Sequence, residues 1–127
     1  ENSRLTVNKN NAFASVAMQA AYRDGGPWLD AVMQYLEGNL DLVRQRLEHM
    51  PQVDLIEPDG TGLVWLDFRR LQMSPDDLTA FLRTKAGWAA TRGIAFGEQG
   101  AGFARVNIAC PRSRLSTALD RLAAALD

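Results

Sequence analysis

One cysteine, one histidine and two lysines in 127 residues leave little room for several kinds of chemistry. Cys110 has no second cysteine with which to form an internal disulfide, which fits a reducing, cytoplasmic setting. His49 alone cannot assemble a zinc site or a nucleophilic triad, so no metal site is expected. Lys9 and Lys85 stand against twelve arginines, which leaves few amines for Schiff-base chemistry. No apolar run approaches the ~20 residues that cross a bilayer, and the first residues do not follow the charged-then-apolar order of a signal peptide. Charge of one sign is not in excess either. The chain carries 14 basic and 15 acidic residues for a formal net charge of −1, so no global field draws it to nucleic acid or to an anionic membrane, and neither partner is expected.

Hydrophobic residues make up 46% of the chain and charged residues 23%, a globular composition long enough for a core without staples. Residues 1–11 are polar and lack a period, and no Met opens the sequence, so a cut inside a longer protein is expected. Asn11 is a suitable N-cap for a helix over Ala12 to Asp24, where Phe13, Val16, Ala17, Ala20 and Ala21 recur at helical spacing. Gly25-Gly26-Pro27 stops it. A long helix follows over residues 27–50, with Leu29, Val32, Leu36, Leu40, Val43 and Leu47 on one side and Asp30, Glu37, Asp41, Arg44 and Glu48 on the other. Gly38 inside it marks a bend or a close contact. His49 falls in the last turn before Pro51, where an imidazolium suits the free carbonyls.

Val53 to Ile56 reads as a short strand, and Pro58-Asp59-Gly60 turns the chain into Leu63-Val64-Trp65-Leu66-Asp67-Phe68. That run is almost continuously apolar, which suggests a strand covered on both faces by helices. Ser74-Pro75-Asp76-Asp77 combines an N-cap, a first-turn proline and two carboxylates at the positive end of a helix dipole, with Leu78, Phe81 and Leu82 facing the core. Gly87 closes that helix. Trp88 to Thr91 reads as a strand, Gly93 to Gly102 as a glycine-rich loop and Arg105 to Cys110 as the last strand. Pro111 ends it before a helix built on Leu115, Ala118, Leu119, Leu122 and Leu126. The expected fold is a two-layer α/β (α+β) sandwich, in which helices pack on a small mixed or mostly antiparallel sheet preceded by a long connecting helix.

The last strand carries the sharpest functional signal. Alternation places Val106, Ile108 and Cys110 on an apolar face and turns Arg105 and Asn107 together to the other. A guanidinium offers a planar fork that fits a carboxylate or phosphate at two points, and an amide beside it can donate or accept, so the pair suits an anion. By itself such an Arg is also ordinary on the solvent face of a sheet. Gly97-Glu98-Gln99-Gly100-Ala101-Gly102 does not suit a phosphate loop, because its glycines precede a strand and do not open a helix. Trp28, Trp65 and Trp88 are expected in the core, since no basic stripe accompanies them. Asp67 and Arg69 share a face and fit a surface ion pair as well as catalysis.

Taken in order, Asn11-Ala12-Phe13-Ala14, Gln19-Ala20-Ala21-Tyr22, Gly25-Gly26-Pro27-Trp28-Leu29-Asp30, Gly60 to Arg69, Gly93-Ile94-Ala95-Phe96-Gly97 and Phe103 to Ser113 resemble one family over nearly the whole chain. It is the C-terminal part of the fold-type-I pyridoxal-phosphate enzymes, within the class I/II aminotransferases and close to their cystathionine β-lyase, or C–S lyase, branch. The resemblance implies a single small C-terminal domain of a larger enzyme: residues 1–26 a helix left from the domain junction, 27–50 the connecting helix and 51–127 the α/β core. It implies that Arg105 binds the α-carboxylate of an amino-acid substrate, with Asn107 beside it, in a cytoplasmic homodimeric parent that uses pyridoxal 5'-phosphate. The parent reaction would be α-proton removal and β-elimination of a thiol to leave pyruvate and ammonia, with transamination the near alternative. The lysine and the phosphate-binding loop that hold the cofactor in that family lie upstream of the matched motifs. No catalytic or cofactor-binding residue is therefore assigned here, and the chain alone is expected to bind no cofactor and to be inactive. A different class remains open, a free-standing α/β module that binds an anionic ligand through the Arg105 and Asn107 face.

Overall fold

In the computed structural model, described for residues 12–127, α1 (Ala12–Asp24) is followed after the single residue Gly25 by α2 (Gly26–Leu47). Gly25 still takes part in helical bonding, donating to Ala21 and accepting from Leu29, so the break is a joint and not a loop. The expected cap Asn11, like Lys9, lies outside the described residues. The chain divides into two compact units, Glu1–Gln34 and Tyr35–Asp127, with the division inside α2.

In the first unit the apolar residues of α1 face outward: Phe13 is 85% exposed and Tyr22 88%. Trp28, expected in the core, is 70% exposed in the first turn of α2. The apolar periodicity of these helices is present, but within this unit it buries almost nothing.

The second unit is a sheet with helices on one face. β1 (Asp54–Ile56), β2 (Leu63–Asp67), β3 (Thr91–Arg92) and β4 (Phe103–Asn107) pair in the order β1-β2-β4-β3, all antiparallel. The second half of α2 covers this sheet together with α3 (Pro75–Thr84) and α4 (Arg112–Leu126). Val64, Leu66, Ala104 and Ile108 from the sheet side meet Leu40, Val43 and Leu47 of α2, Leu78 and Leu82 of α3, and Leu115, Leu119 and Leu122 of α4 in one buried cluster. Burying a side chain of this kind stabilises by about 1.5–3 kcal/mol, so this cluster fixes the fold of the unit.

Local signals set most boundaries. The Ser74 hydroxyl accepts from the Asp77 N–H at 3.2 Å and caps α3. At the other end Gly87, with φ +67°, lets the chain double back so that the Trp88 N–H donates to Leu82 O at 2.7 Å. Four expectations need correction. α2 ends at Leu47, so His49 lies beyond it in an exposed turn. Trp88 is not in a strand but in the core, its indole N–H donating to Ala118 O at 2.8 Å, and β3 begins at Thr91. β4 runs from Phe103 and stops at Asn107, not Cys110, because the Asn107 side-chain carbonyl accepts from the Ala109 N–H at 2.8 Å and bends the chain away. Within this unit helices cover one face of β2, not both; Leu63, Trp65 and Phe103 lie outside the core cluster. Among the described residues no helix is long and apolar enough to cross a membrane.

A buried polar joint holds α2 to the segment after β4. Asn39, 0% exposed, donates through its amide to Ile108 O at 2.7 Å and Cys110 O at 3.0 Å, and its side-chain oxygen accepts from Arg112 Nε at 3.0 Å. The Arg112 guanidinium also stacks over the Tyr35 ring at 5.0 Å. Gly38 leaves room for it, since a Cβ there would overlap the Arg112 guanidinium.

Candidate functional site

The sheet face turned away from the helices carries the residues that the sequence singles out. Antiparallel register puts Trp65 of β2 and Thr91 of β3 on either side of Arg105, with Leu63 opposite Asn107 and Asp67 opposite Phe103. Directly opposed residues share a face, so Arg105, Asn107, Trp65, Asp67 and Phe103 emerge together.

Arg105 is half-buried and forms no ion pair among the described residues. Its guanidinium lies over the Phe96 ring, 4.6 Å from the centroid. Phe96 meets Trp65 edge to face at 5.2 Å and 70°, and Trp65 meets Phe103 in the same manner at 6.3 Å. The row ends on Arg69, whose guanidinium lies 4.7 Å from the Phe103 centroid. Two arginines therefore close the ends of a run of three rings.

The two cations differ in their partners. Arg69 grips Asp67 with its fork, Nε at 3.0 Å from Oδ1 and Nη2 at 2.7 Å from Oδ2, and the Arg69 backbone N–H adds a bond to Oδ1 at 2.9 Å. Asp67 is only 8% exposed. The Arg69 hydrogen bonds hold its carboxyl below the ordinary carboxylate value, outweighing the burial that pushes the other way, and they raise the pKa of Arg69 in turn. This pair is internally satisfied. The Arg105 guanidinium, by contrast, has no acidic partner among the described residues.

Asn107 shares the strand face with Arg105 but uses its oxygen in the turn to Ala109; its NH2 has no partner among the described residues. A groove of about 780 Å³ begins at Asn107 and runs between the 87–90 segment and α4, past Cys110, Arg114, Thr117 and Arg121. A smaller cavity of about 320 Å³ lies between α3 and the β3 turn. Arg105 lines neither of these; it lies half-buried on the open face of the sheet.

Phe96 enters the sequence reading only as part of the Gly93-Ile94-Ala95-Phe96-Gly97 motif, with no site role, and Asn39 does not enter it. Phe96 had one signal, a large aromatic placed among glycines. Asn39 had another, an amide inside the apolar stripe of α2 next to Gly38.

No family model matches the chain. It is 38% identical over 117 residues to cystathionine β-lyase PatB of Bacillus subtilis, covering 91% of this chain and 30% of that protein. To the MalY protein of Escherichia coli it is 38% identical over 106 residues, 83% of this chain and 27% of that protein. The fold superposes on cystalysin of Treponema denticola, a protein that contains pyridoxal 5'-phosphate, with a TM-score of 0.87 and 32% identity over 91% of this chain and 30% of the other. The chain thus spans about three tenths of the length of the relatives it matches.

Proposed function

Because the chain is homologous, in sequence and in fold, to the C-terminal domain of the fold-type-I pyridoxal-phosphate enzymes of the cystathionine β-lyase, or C–S lyase, branch, we propose that it supplies the substrate-carboxylate grip of such an enzyme. The observation that carries this reading is Arg105: a guanidinium held on the open face of the sheet, over an aromatic ring and paired with no acid among the described residues. An α-carboxylate is planar and accepts two parallel N–H bonds, which matches that fork. Asn107 contributes the NH2 that its turn leaves over, either to the same carboxylate or to a neighbouring group of the parent protein.

In this reading residues 1–26 descend from a domain junction, 27–50 connect, and 51–127 form the small domain. The parent protein is a homodimer that acts on an amino acid with pyridoxal 5'-phosphate, by β-elimination or by transamination.

The residues described here do not themselves suit that cofactor. Lys85, the one lysine among them, is exposed at the C-terminal end of α3 in the helical layer, where its charge complements the helix dipole. The electron-sink chemistry therefore belongs to the rest of the parent protein, and what this chain contributes is binding and orientation of the substrate acid. Added to the isolated chain, the cofactor is expected to give no stoichiometric, lysine-dependent visible absorption band; such a band would refute this division of labour. In the full-length parent, Arg105→Ala should lower kcat/KM for the amino acid by about 1.5–3 kcal/mol, the worth of a charged hydrogen-bonded contact. An unchanged specificity constant would remove Arg105 from the site.

A further inference from the structure

The glycine-rich segment between β3 and β4 belongs neither to the core nor to the carboxylate contact, yet its backbone is tightly specified. It forms two short 3-10 turns, Gly93–Phe96 and Glu98–Gly100, that close on each other. Gly93 and Gly100 meet backbone to backbone: a Cβ on Gly93 would overlap Gly100 O, and a Cβ on Gly100 would overlap Gly93 O. Gly97, between the turns, takes φ +129°, a conformation that side chains disfavour, and its N–H returns to Ile94 O at 3.2 Å. Three glycines thus fix one short loop.

That loop presents Phe96. The side chain is 53% exposed and lies outside the core cluster, so hydrophobic burial does not explain its place. What it touches is Trp65, edge to face, and the Arg105 guanidinium, whose Cζ lies over the ring 4.6 Å from its centroid. An aromatic ring beneath a guanidinium attracts the cation without using its N–H groups in hydrogen bonds to oxygen acceptors. It also restricts a long, flexible side chain before any ligand arrives, which lowers the entropic cost of binding.

We propose that Phe96 is a positioning residue for substrate-carboxylate recognition: its ring, braced by Trp65 and held by the glycine loop, sets the position from which Arg105 offers its two-point grip. The proposal rests on the carboxylate role assigned to Arg105 above. It concerns ground-state orientation of the substrate, so its signature is in KM more than in kcat.

The test is steady-state kinetics on the full-length parent carrying Phe96→Leu, Phe96→Met, Phe96→Tyr or Phe96→Trp, with Arg105→Ala alongside. Loss of the ring in the Leu and Met variants is expected to raise KM for the amino acid about tenfold with kcat within about twofold, and retention of a ring in the Tyr and Trp variants to keep KM near the parent value. A KM that does not sort by the presence of a ring overturns the proposal, as does an equal fall in kcat and melting temperature across all four variants. If Arg105→Ala raises KM and the Phe96 variants do not, only the role of Phe96 fails. If Arg105→Ala leaves kcat/KM unchanged, the carboxylate reading fails with it.

Discussion

Two guanidiniums share one sheet face, and whether each has an acidic neighbour determines what it can do. Arg69 is bound by Asp67 at both ends of its fork and is spent on structure. Because these bonds depress the Asp67 pKa in the folded chain, their contribution is fully present above the ordinary carboxylate range and is lost as pH falls through the depressed native value. Asp67→Asn is therefore expected to cost about 1–2 kcal/mol at neutral pH and to flatten the acid limb of the stability curve below about pH 4. Urea titrations of both proteins at neutral and acid pH check this; an acid limb of equal slope in the variant would show that Asp67 does not carry it. Arg105, with no such neighbour, is the cation whose replacement should alter substrate binding before it alters stability. Arg105→Lys keeps the charge and loses the planar fork, so in the parent enzyme its kcat/KM should fall between those of the unsubstituted protein and Arg105→Ala.

At the scale of elements, the joint between α2 and the β4–α4 connection centres on the buried Asn39 amide, with the Arg112 backbone N–H donating to the Tyr35 hydroxyl beside it. Replacing Asn39 with Ala leaves the Ile108 and Cys110 carbonyls and the Arg112 Nε without their partner, and should cost about 2–4 kcal/mol of stability in a denaturant titration. Ser74→Ala removes only an exposed cap and should cost about 1 kcal/mol. A smaller loss at Asn39 than at Ser74 would show that the joint is not structural. The contrast also shows which features could be read from sequence. α3 and α4 were legible because caps, proline and apolar period are local properties of the chain, and Leu78, Leu82, Leu115, Leu119 and Leu122 are buried as their spacing requires. The strand assigned to Trp88 was not, because that residue is placed by a hydrogen bond to Ala118, thirty positions away. Arg105 and Asn107 could be placed on one face from alternation alone, whereas Phe96 over Arg105 depends on how two glycine turns fold against each other.

At the scale of the whole molecule, the distribution of exposed apolar surface is uneven. Seven of the eleven large hydrophobic residues exposed among those described lie between Phe13 and Met33, a short stretch of two helices. Monomeric proteins scatter such residues; a run of them marks a surface that another body covers. In the proposed parent that body is the cofactor-bearing part of the protein. For the 127-residue chain produced alone, the available cover is a second copy, so it is expected to sediment above monomer mass and to bind an environment-sensitive apolar dye. Phe13→Gln, Tyr22→Gln and Trp28→Gln together replace the most exposed of these residues with a good helix former, so the helices should persist while the surface turns polar. The combined variant should move toward monomer and lose dye fluorescence, with the melting transition of the Tyr35–Asp127 unit shifted by no more than about 2 °C, because these side chains belong to the other unit. If the unsubstituted chain stays strictly monomeric and does not bind dye, this apolar run is no interface, and the case for a missing covering domain loses its structural support.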